Sequence, residues 1–188
     1  VTEKRALIIE RGAKIIADCT EAKPIVFTSG KAVGSRLPGD WGGIILLGKA
    51  PTNFTGEPTI EGGVGRKYGG SVPNDNSGVM RYVRIEFAGI AAEPGSEINA
   101  LTLGGVGSGT TLEYIQALYG NDDSFEFFGG TVNAKHLISY ATADDDFDFD
   151  LGYTGRIQFG VVLRDPQWVD SGDAGNGVES DNNASGTT

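Results

Sequence analysis

The chain has 188 residues and a mass of 19.7 kDa, enough for one core, and nothing in its length calls for a second domain. Its formal net charge of −10 repels a phosphate backbone and excludes nucleic acid as an expected partner. A single cysteine, Cys19, excludes an internal disulfide, and no apolar run is long enough to form a transmembrane helix. Glycine is the outlier, with 30 residues, roughly double the ordinary share of about 7%. An excess of that size is tolerated where tight corners recur and need positive φ or close backbone approach.

In chain order the apolar residues form short runs bounded by Gly, Asn, Asp or Pro. They are Ala6-Leu7-Ile8-Ile9, Ala13-Lys14-Ile15-Ile16, Pro24-Ile25-Val26-Phe27, Gly43-Ile44-Ile45-Leu46-Leu47 and Tyr82-Val83-Arg84-Ile85-Glu86-Phe87. Each is too short for a helix of normal length, so the chain reads as all-β. Residues 30–40 and 50–77, rich in Gly, Pro, Ser, Thr and Asn, read as loops projecting from the strands. Within residues 30–77, Trp41 is expected at a loop position, as is Trp168 further on; each ring is either a sugar platform or an anchor for its loop.

Beyond residue 100 the strands repeat. Asp122-Asp123-Ser124-Phe125-Glu126-Phe127 returns as Asp144-Asp145-Asp146-Phe147-Asp148-Phe149, a period of 22 (144 − 122). Leu112-Glu113-Tyr114-Ile115 is followed at the same spacing by Ala134-Lys135-His136-Leu137 and then by Arg156-Ile157-Gln158-Phe159. Met80-Arg81-Tyr82-Val83 lies 32 residues upstream (112 − 80), one coil plus an insertion placed at residues 91–96. A fixed period predicts a right-handed parallel β-helix with coils of about 22 residues, three short strands per coil and inserted loops. Its hand follows from the right-handed crossover rule. Residues 170–188 are polar and read as a tail or an incomplete coil. Gly177-Val178-Glu179-Ser180-Asp181 echoes the Phe-acid strands, which favours the coil, and an uncapped coil implies that either the chain continues or a partner covers its edge.

Stacking at about 4.8 Å turns the repeat into ladders. Phe125 over Phe147 and Phe127 over Phe149 make a core, while Asp122 over Asp144, Asp123 over Asp145 and Glu126 over Asp148 place like charges together outside. Two readings of that acidic wall stay open: solvated carboxylates on an exposed face, or oxygen ligands for Ca2+ drawn from Asp122, Asp123, Glu126, Asp144, Asp145, Asp146, Asp148 and Asp150. Arg81, Glu113 and Lys135 form a ladder of alternating sign. Tyr82, Tyr114 and His136 face oppositely to Val83, Ile115 and Leu137, giving an outward aromatic row that either lies under sugar rings or is covered by a loop. His136 is the only histidine and no nucleophile motif accompanies it, so no catalytic residue is assigned.

These motifs, together with Arg11-Gly12-Ala13-Lys14-Ile15-Ile16-Ala17, Pro38-Gly39-Asp40-Trp41-Gly42-Gly43-Ile44 and Leu101-Thr102-Leu103-Gly104-Gly105-Val106-Gly107, span most of the chain. It resembles a family of secreted right-handed β-helix proteins of Bacteroidetes and marine bacteria. Cys19 stands where such proteins carry glycine. The resemblance implies export to the cell surface or medium and no established reaction. The function expected first is therefore a non-enzymatic scaffold or adhesin-like module that binds a polysaccharide or a surface protein, with Ca2+ as a stabilising ion. The alternatives are a polysaccharide lyase or glycoside hydrolase acting along the wall, and a purely structural repeat of a larger secreted assembly.

Overall fold

The computed structural model describes residues 5–93, 96–170 and 175–183. Among the described residues fourteen strands run in chain order: β1 (Leu7–Ile9), β2 (Ile15–Asp18), β3 (Ile25–Phe27), β4 (Ile44–Leu47), β5 (Gly78–Glu86), β6 (Ala91–Glu93), β7 (Ser96–Glu97), β8 (Leu101–Gly104), β9 (Thr111–Leu118), β10 (Phe125–Phe128), β11 (Asn133–Tyr140), β12 (Phe147–Asp150), β13 (Arg156–Leu163) and β14 (Glu179–Ser180). No helix occurs among the described residues, and none is long and apolar enough to cross a membrane. One sheet has the order β1-β4-β8-β10-β12-β14 and the other β13-β11-β9-β5-β2, with β3 also on β5. Every pairing in these two sheets is parallel, as a stack of coils requires.

The expected three strands per coil become one short strand and one long bent one. In the first coil β2 and β3 are separate and pair with the two halves of β5, whereas later coils turn the same corner on a single residue. That residue is Tyr82, Tyr114, His136 or Phe159, with φ between 54° and 63°. An L-residue in this region costs about 1–2 kcal/mol, and stacked rings recover about 0.5–1.5 kcal/mol per pair. The rings do stack, at centroid distances of 4.5, 4.3 and 4.7 Å from coil to coil. A second such corner, at Phe87, Tyr119 and Ala141, also has positive φ, and Phe87 stacks on Tyr119 at 5.1 Å.

The register matches the 22-residue period where the phenylalanines repeat. Phe125 pairs with Phe147 and Phe127 with Phe149, with ring centroids 5.4 Å apart in both. The 32-residue step between Met80 and Leu112 holds, with a β6–β7 hairpin inside the longer connection. The last step of this ladder departs from expectation: Ala134 pairs with Ile157, not Arg156, and His136 stacks on Phe159. The spacing is 23 (157 − 134), because the turn between β12 and β13 carries one residue more than the turn between β10 and β11. A corner absorbs such an insertion without flipping the strand's inward face. Arg81 lies beside Glu113 at 3.2 Å and beside Asp18 at 2.8 Å, and Lys135 pairs in register with Glu113. Strand β14 adds Glu179 beside Asp148, while residues 171–174 and 184–188 of the predicted tail lie outside the described residues.

The core holds Ile44, Leu46, Leu101, Leu103, Phe125, Phe127 and Phe147 from one sheet against Met80, Val83, Ile85, Leu112, Ile115 and Leu137 from the other. Packing decides one open choice and corrects one expectation. Trp41 is no platform: it is fully buried in this core, its indole N–H donating to Glu86 O at 2.8 Å. Residues 50–77 do not simply project, because Ile60 and Tyr68 are buried against Ile45, Leu47 and Phe128 on the outer face of the β4–β12 sheet. An outward row containing Ile45, Leu47 and Phe128 is apolar, so it gains by taking a cover.

Candidate functional site

Two regions gather the polar and aromatic side chains singled out above. The first lies on the covered outer face, where Thr102, Glu126 and Asp148 stand in register on β8, β10 and β12. Glu126 is 7% exposed and Asp123, before β10, 8%, so this part of the acidic wall is buried rather than solvated. Glu61 descends from the covering segment, and Asn99 enters from the connection before β8. The Asn99 amide donates to Glu61 Oε1 at 2.9 Å, to Thr102 Oγ1 at 3.3 Å and, by a very short bond, to Glu126 Oε2. Carboxylate oxygens of Asp123, Glu126 and Asp148 lie within 4.8 Å of one another, as do those of Asp122, Asp123 and Asp144. Two buried oxygens, Asn99 Oδ1 and Asp148 Oδ1, have no hydrogen-bond partner.

The remaining acids of the predicted row are engaged elsewhere. Asp145 accepts the Asn176 backbone N–H, and its own N–H donates to Asp123 Oδ1 at 2.9 Å. Asp146 is turned into a buried chain: Arg164 pairs with it at 3.0 Å, Ser139 donates to it, and Ser124 lies 2.6 Å from Ser139. Asp150 accepts the N–H of Leu151 at 2.6 Å. Glu61, Asn99 and Thr102 were not singled out from the sequence. Thr102 was within reach, since β8 joins the Phe-acid series at a 24-residue step (125 − 101). Glu61 carried no signal, lying in an irregular segment with no repeat partner.

Burial raises the carboxyl pKa values here, with like charges adding to it. Asp122 is pushed up to about 8 by burial and then by Glu61 and Asp144. Asp123 and Glu126 stand well above the usual carboxylate range for the same reason, and burial also raises Glu61 and Asp148. Glu179 rises to about 8 through its hydrogen bond and charge repulsion with Asp145. A carboxyl raised in the folded state favours folding below its unfolded pKa near 4, and that contribution is lost as pH climbs through the folded pKa. In chelator, the unfolding midpoint is therefore expected to fall by about 5 °C or more between pH 5 and pH 8, read by thermal unfolding at each pH. A midpoint that rises across that window contradicts the assignment.

The second region is the aromatic row. Tyr82, Tyr114, His136 and Phe159 line one side of an open groove of about 530 Å3, floored by Arg84, Gln116, Ile138 and Val161, with Glu21 and Pro24 at its head. Because the rings lie face to face, tilted only 2° to 14° from parallel, most ring faces are mutually covered and the row presents its edges. Phe159, 63% exposed on the last strand of its sheet, stacks only on His136 among the described rings. Trp168 lies apart from the row and anchors its loop by donating to Gly120 O at 2.9 Å. A larger hollow of about 720 Å3 is lined by Phe147, Phe149, Tyr153, Ile157, Val162 and Val178, side chains of the last described coil.

Parallel coils, ladders of stacked side chains and irregular segments laid on the wall define a parallel β-helix. The chain belongs to the pectate-lyase-like β-helix domain family, whose profile matches residues 1–188. No curated protein and no solved structure matches the chain significantly.

Proposed function

We propose that the chain is an extracellular or cell-surface β-helix scaffold that binds a polysaccharide along the groove beside the aromatic row. The observation that carries this reading is the groove's mixed lining over four successive coils, a run of roughly 14 Å at the inter-strand spacing. Sugar units have an apolar C–H face and hydroxyl edges. Ile138, Val161 and the outer side of Phe159 offer apolar surface, while Gln116, Arg84, Glu21 and the tyrosine edges offer polar partners. Such convergence of apolar lining with a few polar groups is the usual character of a ligand cleft.

A binding rather than a hydrolytic or lyase role is supported by the engagement of Arg84, Arg66, Arg164 and Lys67 with other groups of the chain. Arg84 pairs with Glu86 at 3.0 Å, Arg66 with Glu10 at 2.8 Å and Arg164 with Asp146, and Lys67 donates to Glu57 O at 2.9 Å. His136 is held between Tyr114 and Phe159.

A glycan array identifies the ligand, and titration of that glycan tests the site. Tyr114→Ala and Phe159→Ala are each expected to weaken binding about 3- to 10-fold, equivalent to about 0.5–1.5 kcal/mol of ring contact. Tyr119→Ala, an exposed ring at the other corner, is expected to bind as the parent does. No glycan bound, or both groove variants binding normally, removes the proposal and leaves a protein partner or a structural repeat.

A further inference from the structure

We propose that the groove beside the aromatic row takes an uncharged polysaccharide in one direction, with a methyl-bearing unit, such as an acetylated or 6-deoxy sugar, over Ile138, Val161 and Phe159 and hydroxyl-rich units over Arg84 and Gln116. This class of ligand rests on the groove being the binding site. Charge selects against ionic sugars. Of the residues lining the groove, Glu21 is the only acid and Arg84 the only arginine or lysine. Arg84 is matched by Glu86, its Nη2 lying 3.0 Å from Glu86 Oε1. On the neighbouring ladder Arg81 is matched by Asp18 at 2.8 Å and by Glu113 at 3.2 Å, and Lys135 stands in register beside Glu113. A carboxylate or sulfate entering the groove would meet no unmatched cation in its lining, and an anion that sheds water without a partner is costly to bury. The net charge of −10 repels a polyanion at longer range as well. A polycation is drawn to that charge, yet within the groove it finds a single carboxylate.

Two rows lose polarity in the same direction. On the floor Arg84, Gln116, Ile138 and Val161 stand in register on β5, β9, β11 and β13. Along the side the positive-φ corners run Tyr82, Tyr114, His136 and Phe159. The β5–β9 end therefore offers a guanidinium, an amide and two phenols to sugar hydroxyls. The β13 end offers Val161, 48% exposed, and Phe159, 63% exposed, neither with a polar side-chain atom. A hydroxyl laid on these two loses its bonds to water without replacement, whereas a methyl gains by leaving water. Because the rows occupy different positions of the coil, a strand floor and a corner, the direction belongs to the groove and not to one side chain. The two ends stand roughly 14 Å apart at the inter-strand spacing, more than one sugar unit, so they read different units of the polymer.

The test is calorimetric titration of the whole chain with xylan, mannan and glucan hexasaccharides, each unsubstituted, acetylated or capped with a 6-deoxyhexose, beside oligogalacturonate and chitosan hexasaccharides. A methyl-bearing uncharged probe is expected to bind about 4-fold more tightly than its unsubstituted form, a gain the size of one buried methyl. Its affinity is expected to change by less than about twofold between low and high salt. Oligogalacturonate is expected to bind at least about 10-fold more weakly. Any binding of chitosan is expected to fall with salt and to ignore Tyr114→Ala. Val161→Thr, which keeps the branched shape and adds a hydroxyl, is expected to bring the methyl preference close to parity, while Tyr119→Ala at the other corner keeps it. That preference is a ratio within one variant, so a loss of folded protein does not move it. Oligogalacturonate or chitosan bound as tightly as the uncharged probes, and weakened by Tyr114→Ala, overturns the uncharged class and leaves the groove standing. Equal affinity for all forms of a bound glycan, or a preference that survives Val161→Thr, overturns the placement of the methyl-bearing unit. If no probe binds, or binding ignores both Tyr114→Ala and Phe159→Ala, the groove itself is removed as the site and the ligand class falls with it.

Discussion

Phe127→Ala is expected to lower the unfolding midpoint by about 10 °C, from a loss of about 3–5 kcal/mol. Phe127 is wholly buried, lies 5.4 Å from Phe149 and 4.7 Å from Tyr153, and pairs in register with Leu103 on the other side. Truncation therefore leaves a cavity spanning three coils, and the neighbours cannot close it, because each is held at the strand spacing by its own ladder. Tyr153 is further fixed by its hydroxyl, which donates to Val132 O at 2.8 Å. Phe159→Ala removes a ring of the same size from a 63% exposed position, where a change within about 1 kcal/mol is expected. Thermal or denaturant unfolding of the two variants side by side checks the contrast, and equal losses would contradict the inward and outward assignment of the two ladders.

Gly43→Ala is expected to cost about 2–5 kcal/mol, through both backbone strain and overlap. Gly43 has φ +86°, in the region that favours glycine, and a Cβ there would press into the carbonyl oxygen of Asn99 and come within 2.8 Å of that of Ala100. Both obstacles are backbone, and Ile44 N donates to Ala100 O at 3.0 Å, so neither can withdraw without opening the β4–β8 pairing. The substitution also strikes the peptide that positions Asn99. Gly34→Ala supplies the comparison: its φ is similar at +86° but nothing stands within 4 Å, so it carries strain without overlap. Unfolding midpoints that fall equally for the two would show that overlap adds nothing at Gly43.

The acidic wall shows where reading by repeat succeeds and where it stops. The pairs Glu126 with Asp148 and Phe125 with Phe147 follow from a fixed period, because a parallel stack sets residues one coil apart side by side. Whether Glu126 faces solvent depends on what the irregular 50–77 segment does, and that segment has no period to read. The aromatic row was legible as a row. Its positive-φ corners were not, since tyrosine, histidine and phenylalanine seldom adopt that conformation and carry no turn signal of the kind glycine does. For Trp41 the loop position was legible from the glycines around it, but the choice between platform and anchor was not, since it depends on the ring entering the core.

By itself the amino-acid order determined the class of fold, the stacked phenylalanine core and the vertical pairing of like charges, because a one-dimensional repeat translates directly into neighbours one coil apart. Tertiary structure alone decided which carboxylates are buried, that Glu61 and Asn99 join them, and that the aromatic rings offer edges where faces were expected. Those outcomes come from contacts between a periodic wall and an aperiodic segment, and from corner dihedrals set by packing, neither of which is written in the spacing of residues along the chain.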